Sequence, residues 1–318
     1  AQRILELSDE GIPLDRISVL YRAHYHSMEV QMEFVRQDIP FDIRSGIRFF
    51  EQAHIKDVTS YMRVLVNPHD ELAWRRLLMM YPKIGKVTFE KIWSRLAGQD
   101  NPLESLLEES FMKTLPKASH NGVGQCRNTL LILLSLDVPD RTPERIIDLL
   151  LNKGDYRTYL QDNYGDASAR EDDLIQLGNF AAKFERMDDF LNELALLTNM
   201  SKEEEIEERP DDKVILSTIH QAKGLEWSYV FLIWCTDGMI PLQRALKEAG
   251  GEEEERRLFY VAVTRARDQL YLSSPVLDYT RAAGTLTLSP SRFISEIAPL
   301  SSKDEQRAFE QWTLFDEY

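Results

Sequence analysis

A run of polar side chains in this sequence follows a short apolar segment, and its residue types suit ligand binding. The apolar segment, residues 214–219, alternates in a way that predicts a strand, and the run HQAKGLE follows at residues 220–226. A second apolar run, residues 229–235, predicts a neighbouring buried strand. Open α/β sheets bind ligands beyond the carboxyl ends of their strands, so His220, Lys223 and Glu226 are candidate site residues.

Arg265 is a further candidate, because its place in a predicted helix is unusual for a charged residue. The helix is predicted over residues 252–267, with acidic residues in its first turn and arginines at its end. Leu258, Val261, Ala262 and Arg265 are spaced so that they share one helix face. A charge on an apolar face needs a partner. Either Arg265 reaches solvent or a carboxylate, or it meets a ligand where another domain approaches.

Tyr21 and Arg22 stand at the end of another predicted strand, residues 17–21. A helix is predicted over residues 27–37 and a strand over residues 39–43. This β-α-β order predicts parallel pairing of the two strands with a right-handed crossover. From the residues alone, an interface tyrosine and a surface arginine are the ordinary interpretation, and ligand contact is the alternative.

Three longer stretches resemble conserved motifs of the UvrD/PcrA/Rep family of DNA helicases. TIHQAKGLEW and EEERRLFYVAVTRAR, with TDGMIP between them, are similar to the last two motifs of that family, in the same order. VLYRAHYHSMEVQMEFVRQDIPF resembles its fourth motif. The resemblance implies the second helicase lobe, called 2A, with a RecA-like parallel sheet. It also implies a largely α-helical inserted subdomain, called 2B.

The resemblance also implies roles for single residues at a nucleotide site. Tyr21 would stack on adenine, Glu226 would accept a hydrogen bond from the ribose hydroxyl, and Arg22 and Arg265 would reach the γ-phosphate. An arginine supplied by a facing lobe stabilises charge that develops during phosphoryl transfer. ATP and Mg²⁺ would be bound mainly by a first lobe that this sequence does not contain.

DNA contacts are implied at two places. His220 and Lys223 would lie close to single-stranded DNA, although a hydrogen-bonded structural histidine is an equal interpretation of His220. The sequence PKIGKVT at residues 82–88 resembles a hairpin that touches duplex DNA, with Lys83 where the family has glycine. A lysine attracts phosphate but loses freedom in a tight turn. The residues implied for this contact are Lys83, Gly85, Lys86 and Thr88.

The domain organisation follows from the order of predicted elements. Residues 1–80 and 209–300 are predicted to form the 2A lobe, and residues 301–318 a C-terminal tail. Residues 81–208 are predicted to form the helical 2B insertion, since no strand is predicted between residue 81 and residue 213. The acidic run at residues 203–208 is predicted to be a solvated linker.

Bulk composition limits the remaining function classes. The chain has 318 residues, 43% of them hydrophobic and 29% charged, and a net charge of −15 that by itself argues against nucleic-acid binding. Two cysteines without metal spacing favour a reducing cytoplasm, and no apolar run is long enough for a membrane span. Neither a P-loop sequence nor a strand ending in Asp-Glu occurs.

The resemblance implies the C-terminal part of an ATP-dependent 3′–5′ DNA helicase or translocase of DNA repair or replication, which we expect to be inactive without its first lobe. The expected partners are single-stranded DNA, a duplex junction, that first lobe, and repair or replication proteins. Two alternatives stay open. One is a subunit of the AddA/RecB type, and the other is a non-catalytic module that docks DNA or protein.

Overall fold

The computed structural model describes residues 1–44, 49–206, 212–280 and 284–297. Its strands are β1 (Ile17–Tyr21), β2 (Phe41–Ile43), β3 (Val214–Thr218), β4 (Trp227–Leu232), β5 (Ala266–Leu272), β6 (Leu277–Thr280) and β7 (Gly284–Thr287). The first five form one sheet in the order β2-β3-β1-β4-β5, and β6 pairs with β7 in an antiparallel ladder. The predicted α/β class is confirmed.

Helices make up most of the remaining structure. They are α1 (Gln2–Asp9), α2 (Met28–Arg36), α3 (Ala53–Val66), α4 (Glu71–Met79), α5 (Lys86–Leu96), α6 (Pro102–Leu107), α7 (Glu109–Met112), α8 (His120–Leu134), α9 (Pro143–Asn152), α10 (Tyr156–Asn163), α11 (Ala167–Ala181), α12 (Met187–Ile206), α13 (Gly251–Val263) and α14 (Arg292–Ile297). Among the described residues from 81 to 206 there is no strand, as the sequence predicts. None of the helices in the described ranges is long and apolar enough to cross a membrane.

Strand β1 lies at the centre of the sheet and is buried along its whole length. It pairs in parallel with β3 on one side and β4 on the other, and β4 pairs in parallel with β5. The Ser18 hydroxyl donates to the Ile215 carbonyl at 2.9 Å, across 197 positions of the chain. The two segments predicted to be strands at residues 17–21 and 214–219 therefore lie side by side in one sheet.

Pairing between β1 and the segment at residues 39–43 was also predicted, and this is wrong. Both edges of β1 are occupied by strands from the far end of the sequence, β3 and β4. A β-α-β pattern in sequence predicts parallel strands, but adjacency is decided by which strands bury their faces best together.

Helix α13 packs on the sheet through one apolar face. Leu258, Phe259 and Ala262 belong to a buried cluster that also contains Leu20 of β1 and Val230 of β4. The helix was predicted to reach residue 267 but ends at Val263, with Thr264 as its C-cap. The Thr264 hydroxyl donates to the carbonyls of helix residues three and four positions earlier.

The chain beyond Thr264 forms β5, which the sequence analysis missed. Residues 266–272 pair with β4, and this ladder replaces the helical hydrogen bonds that the segment would otherwise make. Arg265 therefore lies in the connection between α13 and β5 and not on the apolar face of the helix, which corrects its predicted position.

Contacts divide the chain into two compact units, Ala1–Gln2 with Ala23–Lys213 and Arg3–Arg22 with Val214–Tyr318. Residues 23–80, which were predicted to belong with the 2A lobe, cluster here with the helices. The reason is local packing, since α3 contacts α4, α9, α11 and α12. The division into a 2A lobe, a 2B insertion and a tail stays a prediction, and residues 301–318 lie outside the described part of the chain.

A buried polar network joins the helices of the first unit. The Asp57 carboxylate of α3 accepts from the Tyr156 hydroxyl at 2.9 Å and from the Arg76 guanidinium at 2.6 Å. His54, one turn earlier, lies 3.2 Å from the Asp173 carboxylate, and its Nδ1 accepts from the Arg170 guanidinium at 3.0 Å. Burial raises the pKa of Asp57, and the nearby Arg76 guanidinium opposes that rise. Buried groups of this kind need partners, and here the partners come from different helices.

Residues 121–124, which include Gly122 and Gly124, lie within α8. A glycine suits position 122 of this helix because the Pro82 carbonyl occupies the space that a Cβ atom would need. Residues 203–206, predicted to be linker, continue α12, and residues 207–208 lie outside the described ranges.

Candidate functional site

The carboxyl end of β1 carries a buried ion pair between Arg22 and Glu255. The Arg22 guanidinium donates to both carboxylate oxygens, from Nε at 3.0 and 3.1 Å and from Nη2 at 2.7 Å. The side chains are 16% and 2% exposed. The Leu242 backbone N–H also donates to this carboxylate, at 3.1 Å. Charge-assisted bonds with several donors are strong and directional, so Glu255 holds both partners in place.

His220 lies beside this ion pair, in the turn that follows β3 (residues 219–224, called the 219–224 turn). Partial burial of the imidazole lowers the pKa of His220, and the Arg22 guanidinium lowers it further, while Glu255 and Glu254 act in the opposite direction. The imidazole is therefore held toward its neutral form at neutral pH. His220 and Lys223 both have exposed side chains.

A second group of candidates lies at the start of β4 and β5. The Arg265 guanidinium donates to the Val261 carbonyl at 2.8 Å, the Leu225 carbonyl at 2.9 Å and the Thr264 hydroxyl at 3.0 Å. These three acceptors are uncharged, so they orient the guanidinium without neutralising it.

Glu226 lies next to Arg265 in the same group. The Arg267 guanidinium donates to the Glu226 carboxylate at 3.0 Å, and both side chains are exposed. An exposed pair of this kind contributes little stability and leaves the carboxylate available to another donor. The structure thus brings Glu226 and Arg265 together, although nearly forty residues separate them in the sequence.

The two groups lie at opposite ends of β4. Trp227, its first residue, donates its N–H to the Arg265 carbonyl at 3.0 Å. Its last residue, Leu232, is in register with Leu20, two positions before Arg22. The strand has six residues, so its ends are roughly 17 Å apart at about 3.3 Å per residue. Arg22 and Arg265 therefore leave the backbone at opposite ends of β4, and each guanidinium is hydrogen-bonded at its own end.

Tyr21 is the last residue of β1 and is 0% exposed. Its backbone carbonyl accepts from the Ile219 N–H at 2.9 Å, at the start of the 219–224 turn. Stacking on a base needs a free face of the ring. The buried ring therefore gives no support to adenine stacking.

The predicted DNA hairpin is a tight turn at residues 81–84, called the 81–84 turn. The Ile84 N–H donates to the Tyr81 carbonyl at 3.3 Å, and Lys83 has φ 63°. Pro82 followed by a residue of positive φ is typical of a type II turn, whose third position favours glycine. The four residues predicted to touch duplex DNA lie here and at the start of α5. Lys83, Gly85 and Lys86 are exposed, and Thr88 is half-buried.

The sequence profile of the UvrD-like helicase C-terminal domain matches residues 1–276, most of the chain. This chain belongs to the UvrD-like helicase C-terminal domain family. The resemblance stated from the motifs is confirmed, and the parallel sheet is that of a RecA-like helicase lobe.

Individual relatives agree with the family match. The chain is 30% identical to the ATP-dependent DNA helicase PcrA of Bacillus subtilis over 317 residues, 93% of this chain and 42% of PcrA. It is 31% identical to a probable DNA helicase II homolog of Mycoplasma capricolum, over 93% of this chain and 41% of that protein. The ATP-dependent DNA helicase Rep of Buchnera aphidicola is 29% identical, over 92% and 46%. The chain spans less than half the length of these relatives.

Glu255 of this UvrD-like chain was missed as a site residue, although the sequence contained a signal for it. Residues 252–255 were interpreted only as acidic residues that suit the helix dipole. Glu255, Leu258, Phe259 and Ala262 are all buried and follow the spacing of one helix face. The charged residue on the apolar face of α13 is therefore Glu255, and Arg22 is its partner.

A second ionic cluster of the UvrD-like chain was also missed. Arg292, the first residue of α14, donates to both Asp237 carboxylate oxygens at 2.9 Å and to Glu252 at 3.3 Å. It ties α14 to the loop at residues 236–242, called the 236–242 loop, and to the start of α13. The hydrogen bond from Arg292 lowers the pKa of Asp237.

Proposed function

We propose that this chain is the second lobe of an ATP-dependent 3′–5′ DNA helicase or translocase. The observation that supports the proposal best is the meeting of Leu225 and Glu226 with Arg265 and Arg267 at the start of β4 and β5. These are parts of two separate helicase motifs, and only the fold makes them neighbours. The relatives named above are DNA helicases, and two of them are described as ATP-dependent.

Arg265 is the residue proposed to reach the γ-phosphate of ATP. Its hydrogen bonds go to uncharged oxygens, so its positive charge remains available to a phosphate. Glu226 is proposed to accept from the ribose hydroxyl, and its exposed partner Arg267 is easily displaced by solvent or ligand. When bound, ATP supplies the phosphoryl group, and Mg²⁺ would be held with it by the first lobe.

We propose no nucleotide contact for Tyr21 or Arg22. The ring of Tyr21 is fully buried, and the Arg22 charge is neutralised by a buried carboxylate. Arg22 also lies at the opposite end of β4 from Arg265, as described above.

DNA contact is proposed for exposed residues of two turns. His220 and Lys223 of the 219–224 turn would meet the single strand, and the start of α5 with the 81–84 turn would meet duplex DNA at a junction. Phosphate attraction by lysines and backbone N–H groups supplies affinity without base recognition. The net charge of −15 is compatible with such local contacts, because the field near a basic turn is set by nearby groups. We also propose a cytoplasmic location in a repair or replication pathway.

The test is an arginine substitution in the full-length protein that contains this chain. Arg265→Lys keeps the charge but loses the planar fork, so ATP hydrolysis should fall by about 10³. Affinity for single-stranded DNA should change much less. Arg267→Lys is the matched control, since Arg267 is exposed and its ion pair with Glu226 lies on the surface. Near-normal hydrolysis by Arg265→Lys would refute the proposed phosphate contact.

A further test uses this chain alone. Because its sequence lacks a P-loop, the pure chain should show no DNA-stimulated ATP hydrolysis above background. Measurable turnover would contradict the assignment of the main nucleotide site to another lobe.

A further inference from the structure

The Glu255 carboxylate lies where three separate parts of the second unit meet. It belongs to α13, accepts from Arg22 at the end of β1, and accepts from the Leu242 N–H of the 236–242 loop. It is 2% exposed. A buried carboxylate is retained only where its partners compensate for lost hydration, so all three parts depend on its charge.

The 219–224 turn rests on the same three parts. Its first N–H, that of Ile219, bonds to the Tyr21 carbonyl, directly before Arg22. Ala222 of the turn, Ile240 of the 236–242 loop and Phe259 of α13 are buried in one hydrophobic cluster. Movement of Arg22, the loop or α13 would therefore move the support of the turn.

We propose that Glu255 is a positioning residue for the 219–224 turn, which it supports by holding Arg22 and the Leu242 amide, so that His220 and Lys223 face nucleic acid. The proposal rests on the DNA contact proposed above for these two residues. Glu255 itself touches neither DNA nor nucleotide.

The charges around His220 provide a readout of this arrangement. Arg22 faces it from the end of β1, Glu255 and Glu254 face it from α13, and Lys223 lies on its own turn. Arg22 lowers the pKa of His220, and Glu255 raises it. The two halves of one ion pair therefore act on His220 in opposite directions.

The experiment compares Glu255→Gln, Arg22→Gln and the double variant in the full chain. Histidine NMR titration, with His220→Asn to identify the signal, should show a lower His220 pKa in Glu255→Gln and a higher one in Arg22→Gln. In the double variant the two charge effects oppose each other, and a displaced turn also loses the burial that lowers the His220 pKa, so this pKa should stay above the wild-type value. A double variant that returns to the wild-type pKa, or no shift in either single variant, would overturn the proposal.

Binding of a fluorescein-labelled single-stranded oligothymidylate is measured on the same proteins. Glu255→Gln should weaken binding at least about threefold, as expected when a residue acts through its contacts. Glu254→Gln is the control, because it removes a nearby charge whose ion pair with Arg257 is exposed. Its affinity should stay within about twofold of wild type.

The outcomes separate this proposal from the proposed function. If the wild type binds oligothymidylate and Glu255→Gln binds it equally well, the positioning role is overturned and the proposed DNA contact stands. If wild type binds no oligothymidylate but His220 titrates as expected, Glu255 still positions the turn, and the proposed DNA contact fails. If Glu255→Gln does not fold, the double variant, which has no unpaired buried charge, supplies the comparison. Weakened binding with a His220 pKa above the wild-type value supports positioning, and unchanged binding overturns it.

Discussion

Gly122 of α8 is the residue on which the 81–84 turn rests, and its substitution has a predictable consequence. A Cβ atom at Gly122 would lie 2.4 Å from the Pro82 carbonyl oxygen and 3.1 Å from Cδ1 of Ile84. The closer of these atoms belongs to the backbone and cannot turn away. Gly122→Ala must therefore displace the 81–84 turn or the start of α8, by about 1 Å to restore an ordinary contact.

Two opposing effects determine how Gly122→Ala changes the free energy of unfolding. Replacing glycine by alanine inside a helix stabilises it by about 1 kcal/mol. Forcing a methyl group into a filled space costs about 1–3 kcal/mol. Gly124, two positions later in α8, has no atom within 4 Å of the corresponding Cβ position. Gly124→Ala should show only the first term, so the two variants should differ in unfolding free energy by about 1–3 kcal/mol.

The assay is urea denaturation of the wild type and both variants, followed by circular dichroism. Gly124→Ala should unfold at higher urea concentration than wild type, and Gly122→Ala at lower concentration than Gly124→Ala. A duplex with a single-stranded tail, titrated into the same proteins, then reports whether the displaced turn loses DNA affinity. Equal stabilisation by both alanines would refute the reasoning, because it would mean that Gly122 does not pack against Pro82.

Two further predictions concern a turn and an ion pair. Lys83→Gly should raise the melting temperature, because glycine adopts the left-handed conformation at φ 63° without strain. Relief of that strain is worth about 1–2 kcal/mol and exceeds the entropy cost of glycine. Lys83→Ala keeps the strain, so a similar gain in melting temperature in that variant would contradict this cause. Arg292 lowers the pKa of Asp237 in the folded protein. The ionised Asp237 therefore stabilises the fold at pH values above the ordinary carboxyl pKa, and this stabilisation is lost as the pH falls through the lower pKa of the folded state. Carbon-detected NMR titration should show this pKa rising toward its ordinary value in Arg292→Gln, and an unchanged pKa would exclude Arg292 as its cause.

Local sequence pattern predicted the elements whose hydrogen bonds and burial are local or strongly periodic. The strand at β1 has the predicted bounds, since a short and largely apolar run leaves little choice. The motifs likewise identified the family and the Glu226 and Arg265 candidates, because their order and length are specific. A lysine at position 83 was expected to be unfavourable in a tight turn, and the positive φ of Lys83 agrees with that expectation.

Tertiary structure alone decided the partners of these elements. Strand β1 pairs with β3 and β4, whose residues lie about two hundred positions away, and no local pattern encodes that choice. The end of α13 was decided by the pairing of β5 with β4, which moved Arg265 off the helix. Arg22 was given a phosphate role by its motif, yet the fold places it against Glu255. The sequence specifies the position of a charged residue along the chain but not the direction of its side chain, and only packing determines which opposite charge is buried beside it.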